Sequence, residues 1–428
     1  MQRSKSKAIY DRACGVIPGG VNSPVRSFRH LRMAPLIVES GKGGRIWDVD
    51  GHSYIDFCCS WGALILGHAH PAVIRGASEQ MQKGTSFGIA TEIELDMASR
   101  VVHLMPSIEK IRFVSSGTEA GMTAMRLARG VTERPKIVKF TGHYHGHSDA
   151  LLIQAGSGAM KINPLATSKG VNPNTIADTI CLPFNDFEAV RSLFRSEEGA
   201  RIAGVILEPV TGNMGVVLPE DGFLECLREL TARNGSLLIF DEVITGFRLG
   251  IRGAQGLYGI DPDLTCLGKV IGGGFPVAAV GGKAKFLDHL APLGSVYQAG
   301  TLSGNPVAMR GGLETLAILE KEGFYEELHR KAEAMTAPLR HALRNKNGCL
   351  QQAGSMFNLF FGVKKVRCKE DLKQLDEEMF IRFFHYLFER GIYISPSSHE
   401  AWFMTAAHTD VEIATAVGTM IEFIEKYV

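Results

Sequence analysis

Short apolar runs alternate with stretches of helical periodicity from about residue 105 to residue 285. The runs read KIRFVSS, KIVKFTG, DTICLPF, IAGVILEP, SLLIFDEV, DLTCLGK and PVAAVGGK. Within each run the apolar residues follow one another instead of alternating with polar ones, which is typical of strands that are covered on both faces. The pattern therefore predicts an α/β fold with a mostly parallel sheet flanked by helices.

The two ends of the chain show different patterns. Residues 1–55 are rich in turns and contain a predicted hairpin across GRIWDVDGHSYIDF, in which Asp50 and Gly51 mark the turn. Beyond about residue 312 the periodicity becomes helical and then returns to strands near MFNLFFGV and GIYISP. We therefore expect a large α/β domain over 56–311 and a smaller α+β domain over 312–428, with the segment 1–55 packing against the smaller domain.

The amino-acid composition and the net charge limit the kinds of ligand that the protein is expected to bind. The 428 residues are 45% hydrophobic and 21% charged, as in soluble globular enzymes, and the formal net charge is +1. Such a balance gives no long-range attraction to nucleic acid or to an anionic membrane, and no apolar run is long enough to cross a bilayer. The eight cysteines form no C-x-x-C pair and are expected to be reduced. We expect a cytoplasmic protein that acts on a small molecule.

The residues that close the apolar runs are the first candidates for chemistry, because ligands of parallel α/β sheets bind beyond the carboxyl ends of the strands. These residues are Ser115, His143, Glu208, Asp241 and Lys269. A carboxylate in the position of Asp241 needs a cationic or hydrogen-bonding partner, since its run is buried. Lys269 precedes three glycines, which are expected to let the backbone pass close to a ligand.

The segment SSGTEA follows one predicted strand and opens a helix. Backbone N–H groups at such a helix start, together with Ser116, Gly117 and Thr118, form a phosphate cradle. The motif alone is not decisive, because serine and threonine also cap helices. Combined with a buried carboxylate at Asp241 and an amine at Lys269, it matches what pyridoxal 5′-phosphate requires: a held phosphate, a protonated ring nitrogen and a lysine bonded to the aldehyde.

Several longer motifs resemble those of a known family. SSGTEA, YHGH, DEVITGFR, LGKVIGGGFPVAAVGG and GTLSGNP resemble the class III aminotransferase family of fold-type I pyridoxal phosphate enzymes. VIPGGVNSPVRSF, CSWGALILGHAHP, KGTSFGIAT, LEPVTGNMGVVLP and HEAWFMTAAHT extend the resemblance over essentially the whole chain and towards the aminomutase branch. That resemblance implies an intramolecular amino transfer that converts glutamate 1-semialdehyde to 5-aminolevulinate in tetrapyrrole synthesis, with the cofactor passing through its pyridoxamine form.

The resemblance also implies a role for each matching residue. Lys269 would be the catalytic lysine, Asp241 would pair with the ring nitrogen, and Tyr144 would stack on the ring. The residues implied to bind the cofactor are Ser116, Gly117, Thr118, Tyr144, Asn213, Asp241 and Lys269, with Gly300 and Thr301 serving the neighbouring subunit of a homodimer. The residues implied to bind the substrate are Arg26, as the carboxylate anchor, with Ser23, Trp61, Ser157 and Glu400.

Two alternative functions remain open from the sequence. An ω-aminotransferase acting on a terminal amine would use the same fold, but such enzymes usually hold 2-oxoglutarate with an arginine where this chain has Glu400, which should repel a dicarboxylate. The more remote alternative is a metallohydrolase, since His145, His147 and Asp149 have the H-x-H-x-D spacing that opens binuclear metal sites. Ala150 stands where such a motif normally supplies another histidine.

Two stretches depart from the family pattern. His399 and Trp402 flank Glu400 where smaller or differently shaped side chains are common, and they are expected to change the shape of the substrate end of the site. The segment AGSGAMKINPLATSKGVNP over 155–173 begins like the mobile lid of the family but lacks its Ser-Pro-Gly continuation.

Overall fold

The structure, a computed structural model, describes residues 2–153 and 168–428. The chain folds as two compact units. The first, which we call the sheet unit, comprises Pro71–Phe324 and Arg367–Lys369. The second, which we call the terminal unit, comprises the described residues up to His70 together with Tyr325–Val366 and Glu370–Val428.

The helices are numbered in chain order. They are α1 (Ser4–Cys14), α2 (Pro71–Lys83), α3 (Glu92–Leu104), α4 (Gly117–Thr132), α5 (Pro173–Ile176), α6 (Phe187–Arg195), α7 (Phe223–Asn234), α8 (Gly253–Tyr258), α9 (Ala284–Leu287), α10 (Pro306–Leu319), α11 (Phe324–Leu343), α12 (Glu377–Phe388) and α13 (Asp410–Tyr427). Across residues 2–153 and 168–428, no helix is long and apolar enough to span a membrane.

The strands are numbered in the same way. They are β1 (Val38–Lys42), β2 (Arg45–Asp48), β3 (Ser53–Asp56), β4 (Lys110–Val114), β5 (Lys136–Phe140), β6 (Thr179–Leu182), β7 (Ile202–Leu207), β8 (Leu237–Glu242), β9 (Leu264–Leu267), β10 (Ala278–Gly282), β11 (Gly348–Ala353), β12 (Met356–Phe361), β13 (Ile392–Tyr393) and β14 (Trp402–Phe403).

The sheet unit is built on a seven-stranded sheet in the order β4-β10-β9-β8-β7-β5-β6. Only β10 runs antiparallel to its neighbours, β4 and β9, and the other pairings are parallel. Each of the seven apolar runs of the sequence forms one of these strands. Every residue of β7, β8, β9 and β10 is buried, so the continuous apolar runs correctly predicted a mostly parallel α/β sheet covered on both faces.

Helix α4 packs against this sheet through a row of buried alanines. Ala120, Ala124 and Ala128 recur at four-residue spacing, are fully buried and pack into the same core cluster as Ile206 and Ile239 of the central strands. Small side chains on that face let the helix axis approach the sheet closely. The packing fixes the position of the helix start at Gly117, which follows β4 and faces the carboxyl ends of the parallel strands.

The terminal unit contains two smaller sheets, with strand orders β1-β2-β3-β13 and β11-β12-β14. The predicted hairpin is present, since β2 and β3 pair antiparallel and Gly51 in the turn has a φ of +90°. Strand β13 adds to this hairpin by parallel pairing with β3. The N-terminal hairpin and the C-terminal part of the chain therefore share one sheet.

Candidate active site

A cavity of about 310 Å³ opens in the sheet unit where the parallel strands end. Its lining includes the following residues that the sequence analysis had selected: Ser116, Gly117, Thr118, Tyr144, Asn213, Asp241 and Lys269. They come from separate strand ends and loops, as expected for a ligand site of a parallel sheet. Glu208, which closes β7, lines the same cavity.

One wall of the cavity is the start of α4. The Ser116 hydroxyl caps the helix by accepting the Glu119 backbone N–H at 3.3 Å. A side chain at Gly117 would lie 3.2 Å from the Val243 side chain, and one at Gly146 would lie 2.5 Å from the Thr118 Cα. Helix α4 has 16 residues, so its free N–H groups and positive dipole end favour an anion here. The bare backbone and the helix start fit a phosphate group.

Asp241 lies in β8 and is buried with a histidine beside it. Its Oδ2 lies 2.7 Å from Nδ1 of His145, and its Oδ1 accepts the Val243 backbone N–H at 3.1 Å. His145 is itself buried, and its Nε2 has no hydrogen-bond partner within the described ranges. A buried carboxylate held in this way can accept a further N–H from a ligand ring, which fits the ring nitrogen of pyridoxal phosphate.

This pairing gives the histidine motif a different role from the metal site considered above. His145 is directed to Asp241, while His147 and Asp149 are exposed. In the part of the chain that the structure describes, no three His, Cys, Asp or Glu side chains are grouped as metal ligands. The spacing alone could not show that His145 would meet a carboxylate 96 positions further along the chain.

Glu208 connects two of the predicted cofactor residues. Its Oε1 accepts the Tyr144 backbone N–H at 2.9 Å, and its Oε2 accepts the Asn213 side-chain amide at 2.9 Å and the Gly212 backbone N–H at 2.8 Å. Burial raises the pKa of Glu208, although the nearby His145 and the backbone N–H groups of Gly212 and Tyr144 oppose the shift. The position of Glu208 at the end of an apolar run gives no indication of its role, and the structure makes it the group that fixes Tyr144 relative to Asn213.

Lys139 supports the site although nothing in the sequence pattern marks it as a candidate. It is fully buried in β5, and its ammonium donates to three backbone carbonyls, those of His143 at 3.0 Å, Leu151 at 3.1 Å and Ile153 at 2.8 Å. An ammonium has three protons, so each carbonyl receives one. Burial lowers the pKa of Lys139 to about 8. The side chain ties down the segment 143–153, which carries Tyr144 and His145.

Lys269 follows β9 and is half-buried at the cavity wall. Its φ of +47° lies in the left-handed region, which costs a non-glycine residue roughly 1–3 kcal/mol. The approach of the glycines over 272–274 to a ligand stays a prediction, and the structure shows a packing role for one of them. A side chain at Gly273 would lie 2.5 Å from the Gly311 carbonyl oxygen of α10, so this glycine is required for close packing against a helix.

The predicted substrate residues Ser23, Arg26, Trp61 and Glu400 belong to the terminal unit. Burial raises the pKa of the Tyr393 hydroxyl well above its usual value, and Arg26 opposes the shift, so the guanidinium lies within electrostatic range of Tyr393. Burial likewise raises the pKa of the Cys58 thiol, and the Glu400 carboxylate adds to the increase. Arg26 and Glu400 therefore lie near a common pair, Cys58 and Tyr393, and neither member of that pair was predicted.

Trp61 lies in a left-handed turn. Cys59, Ser60, Trp61 and Gly62 have φ values of +48°, +53°, +58° and +84° in succession. Asp56 supports the turn, because its Oδ1 accepts the N–H groups of Cys58 at 2.8 Å and Cys59 at 3.0 Å.

Asp56 is in turn held by His68, whose Nε2 lies 2.7 Å from the Asp56 Oδ2. The carboxylate thus receives hydrogen bonds at both oxygens and fixes the beginning of the turn.

The remaining predicted residues fall into two groups. Gly300 and Thr301 are exposed and line a separate cavity of about 420 Å³ in the sheet unit, together with residues 86–91. Ser157 lies outside the described residues, as does most of the expected lid over 155–173.

The chain is similar to known proteins in both sequence and structure. Residues 27–421 match the family model described as aminotransferase class-III. A glutamate-1-semialdehyde 2,1-aminomutase of Protochlamydia amoebophila is 51% identical over 100% of this chain and 99% of its own length. A protein of the same name from Desulfitobacterium hafniense is 53% identical over 96% of each chain.

Solved structures give the same architecture. An ω-transaminase from Sphaerobacter thermophilus superposes with a TM-score of 0.90 at 32% identity, covering 99% of this chain and 97% of that one. A glutamate-1-semialdehyde aminomutase from Pseudomonas aeruginosa superposes with a TM-score of 0.87 at 25% identity, covering 99% and 95% of the two chains. These similarities identify the fold as that of pyridoxal phosphate transaminases of fold type I.

Proposed function

Because the chain belongs to the class-III aminotransferase family, we infer that it is a pyridoxal phosphate enzyme that converts glutamate 1-semialdehyde to 5-aminolevulinate by intramolecular amino transfer. The observation that carries this inference is the single cavity that joins Lys269, Asp241 and the start of α4. Sequence identity near 50% over the full length supports the aminomutase reaction over the ω-aminotransferase alternative. The product is a precursor of tetrapyrroles.

When bound, pyridoxal 5′-phosphate supplies an aldehyde for the amine and a ring that accepts an electron pair. We propose that the N–H groups at Gly117 and Thr118 bind its phosphate and that Asp241 keeps a proton at the ring nitrogen. His145 would hold the Asp241 carboxylate in position through its Nδ1. Glu208 would orient Tyr144 towards the ring face and Asn213 towards the ring hydroxyl.

We assign the proton transfers to Lys269. Its Nζ would carry protons between the cofactor carbon and the substrate carbons, acting as general base and then as general acid. Arg26 would hold the substrate carboxylate with its planar fork, with Ser23 and Trp61 as further substrate contacts. Glu400 would exclude a second carboxylate, so that one substrate both receives and returns the amine.

The test is an assay without any amino acceptor. Protein freed of small molecules and loaded only with cofactor is expected to form 5-aminolevulinate from glutamate 1-semialdehyde, and 2-oxoglutarate is expected to change the rate less than about twofold, because a bound dicarboxylate would face Glu400. The product is measured over time by chromatography. If product forms only when a 2-oxo acid or a separate amino donor is added, the ω-aminotransferase reaction replaces the one proposed here.

A homodimer is also part of the proposal. Phe87, Ile89 and Leu302 line the cavity that contains Gly300 and Thr301, and they are 50%, 78% and 56% exposed. Exposed apolar residues around a cavity are typical of an interface. We propose that this surface meets a second copy and that Gly300 and Thr301 complete the phosphate site of that copy.

Light scattering after gel filtration tests the homodimer. We expect a mass of twice the 46.6 kDa of the chain, and Ile89→Glu is expected to produce monomers with weaker cofactor binding. Val411→Glu is the control, because Val411 is 75% exposed in the terminal unit. A monomeric wild-type protein with full cofactor affinity would contradict this part of the proposal.

A cytoplasmic location is proposed on the state of the cysteines. All eight are free thiols, including the adjacent Cys58 and Cys59. Unpaired cysteines are usual where the surroundings keep thiols reduced.

A further inference from the structure

A carboxylate on the solvent-exposed side of α12 accepts hydrogen bonds from the turn that carries Glu400. Glu377, the first residue of α12, accepts a bifurcated hydrogen bond from the Ser398 hydroxyl, whose oxygen lies 2.9 Å from each carboxylate oxygen. The His399 Nε2 lies 3.1 Å from the Glu377 Oε1. Three polar contacts thus converge on one carboxylate from the two residues that immediately precede Glu400.

A buried side-chain amide of β12 donates a further hydrogen bond to the same turn. Asn358 is fully buried, and its side-chain Nδ2 donates to the Ser398 carbonyl at 2.8 Å. The Glu400 backbone N–H donates to the Ser397 carbonyl at 3.2 Å, which closes the turn. We call the set Asn358, Glu377, Ser398 and His399 the Glu400 bracket.

The chain beyond Glu400 is fixed as well. Trp402 is fully buried in β14, which pairs with β12 through Phe357. Its ring is stacked with that of Phe383 at 6.1 Å and meets that of Phe357 edge-on at 6.0 Å. His399 and Trp402 were expected to reshape the substrate end of the site, but their side chains contact α12 and the aromatic core. The two unusual residues therefore secure the backbone on either side of Glu400.

Electrostatics favours an ionised Glu377. Burial alone would raise the pKa of Glu377, but His399 and Ser398, with His30 nearby, lower it overall. The Glu377 and His399 side chains are 50% and 36% exposed, so their mutual attraction is weak by itself. The restraint on the turn comes from the convergence of the three contacts with the buried Asn358 amide.

We propose that Asn358 and Glu377 are positioning residues that fix Glu400 and thereby set the discrimination against dicarboxylic 2-oxo acids. The proposal rests on the function proposed above, in which Glu400 repels a second carboxylate. Repulsion between two carboxylates depends on their separation, so a mobile Glu400 would discriminate less well than a fixed one. Loosening the bracket should admit 2-oxoglutarate while leaving the reaction with the semialdehyde largely intact.

The test compares the bracket variants Glu377→Ala and Asn358→Ala with Glu378→Ala. Glu378 is the matched control, because it is the next residue of α12 but its side chain is exposed and pairs with Arg32. Protein loaded with pyridoxamine phosphate is mixed in single turnovers with glutamate 1-semialdehyde or with 2-oxoglutarate. The binding of glutarate, an unreactive dicarboxylate, is measured separately by calorimetry.

For both bracket variants we expect the ratio of the 2-oxoglutarate rate to the semialdehyde rate to rise at least about fivefold. Glutarate is expected to bind more tightly as well. Both effects follow because the repulsion weakens when the Glu400 charge moves away by a few ångströms. Glu400→Gln should raise the same ratio further, and Glu378→Ala should leave it unchanged. A purely structural role would lower the melting temperature without moving this ratio. The proposal is overturned if the ratio stays within twofold of wild type in both variants, or if Glu400→Gln does not raise it.

Failure of the bracket can be told apart from failure of the proposed function. If the wild-type protein converts the semialdehyde without a 2-oxo acid, the function stands whatever the ratio does in the variants. If the wild-type protein requires a 2-oxo acid, the function is wrong and the bracket proposal falls with it.

Discussion

Lys269→Ala is expected to lower kcat by roughly 10²-fold to 10⁴-fold while the protein stays folded, because general acid and base catalysis contributes about that much. Among the described residues, the cavity lining contains no other lysine, and the nearby Lys139 donates all its protons to backbone carbonyls. Within that part of the chain, no amine of the cavity wall can therefore replace Lys269. The measurement is single-turnover product formation, with circular dichroism to verify the fold.

Lys283→Ala provides the control for this prediction. Lys283 follows the adjacent strand β10 and lies 3.8 Å from Glu109, so it resembles Lys269 in its place at a strand end. We expect this variant to turn over normally. Near-normal activity in Lys269→Ala would show that another group moves the protons, and the mechanism would have to be abandoned.

Asp241→Asn is expected to lower kcat by roughly 10²-fold or more with little change in melting temperature. Asparagine keeps one oxygen, which can still accept the Val243 N–H, and its amide nitrogen can donate to the His145 Nδ1 in the tautomer that leaves that nitrogen unprotonated. It carries no charge, however, and cannot stabilise a proton on the ring nitrogen of the cofactor, which weakens the electron sink. Turnover is measured per folded, cofactor-loaded molecule, and the cofactor absorption band is recorded as a second readout of the ring's protonation.

The control is Asp263→Asn, which removes a structural carboxylate of the same sheet. Asp263 pairs with Arg228 at 2.9 Å and accepts the Leu238 backbone N–H at 2.8 Å. This variant should lose stability by about 1–3 kcal/mol and keep its turnover. If Asp241→Asn behaves like Asp263→Asn, with lower stability and unimpaired turnover, then Asp241 is only a structural residue.

The sequence was sufficient to predict the central sheet because its strands are buried on both faces. Burial on both faces produces continuous apolar runs, and the end of each run then marks the edge where ligands bind. Ser115, Asp241 and Lys269 could be selected in this way, and the structure brings them to one cavity. Residues at the carboxyl ends of neighbouring parallel strands have to be close, whatever their separation in the chain.

The supporting contacts could not be predicted, because they depend on which distant residues become neighbours. Lys139 occupies the interior of an apolar strand and carries no sign of its three carbonyl partners. Strand β13 joins the N-terminal hairpin by pairing with β3, so Tyr393 meets Asp56 across more than 300 residues of chain. The contacts of Glu377 with His399 depend on a helix and a turn whose packing is not visible in local periodicity.

The left-handed turn over 59–62 also matters for protein engineering. Three of its residues are not glycine, and each such residue costs roughly 1–2 kcal/mol compared with an ordinary backbone conformation. Natural proteins keep such costs where an active geometry requires them, and heat resistance is traded for function at these positions. A library aimed at thermal stability should therefore include glycine and asparagine at the exposed Ser60 and should leave Trp61 unchanged.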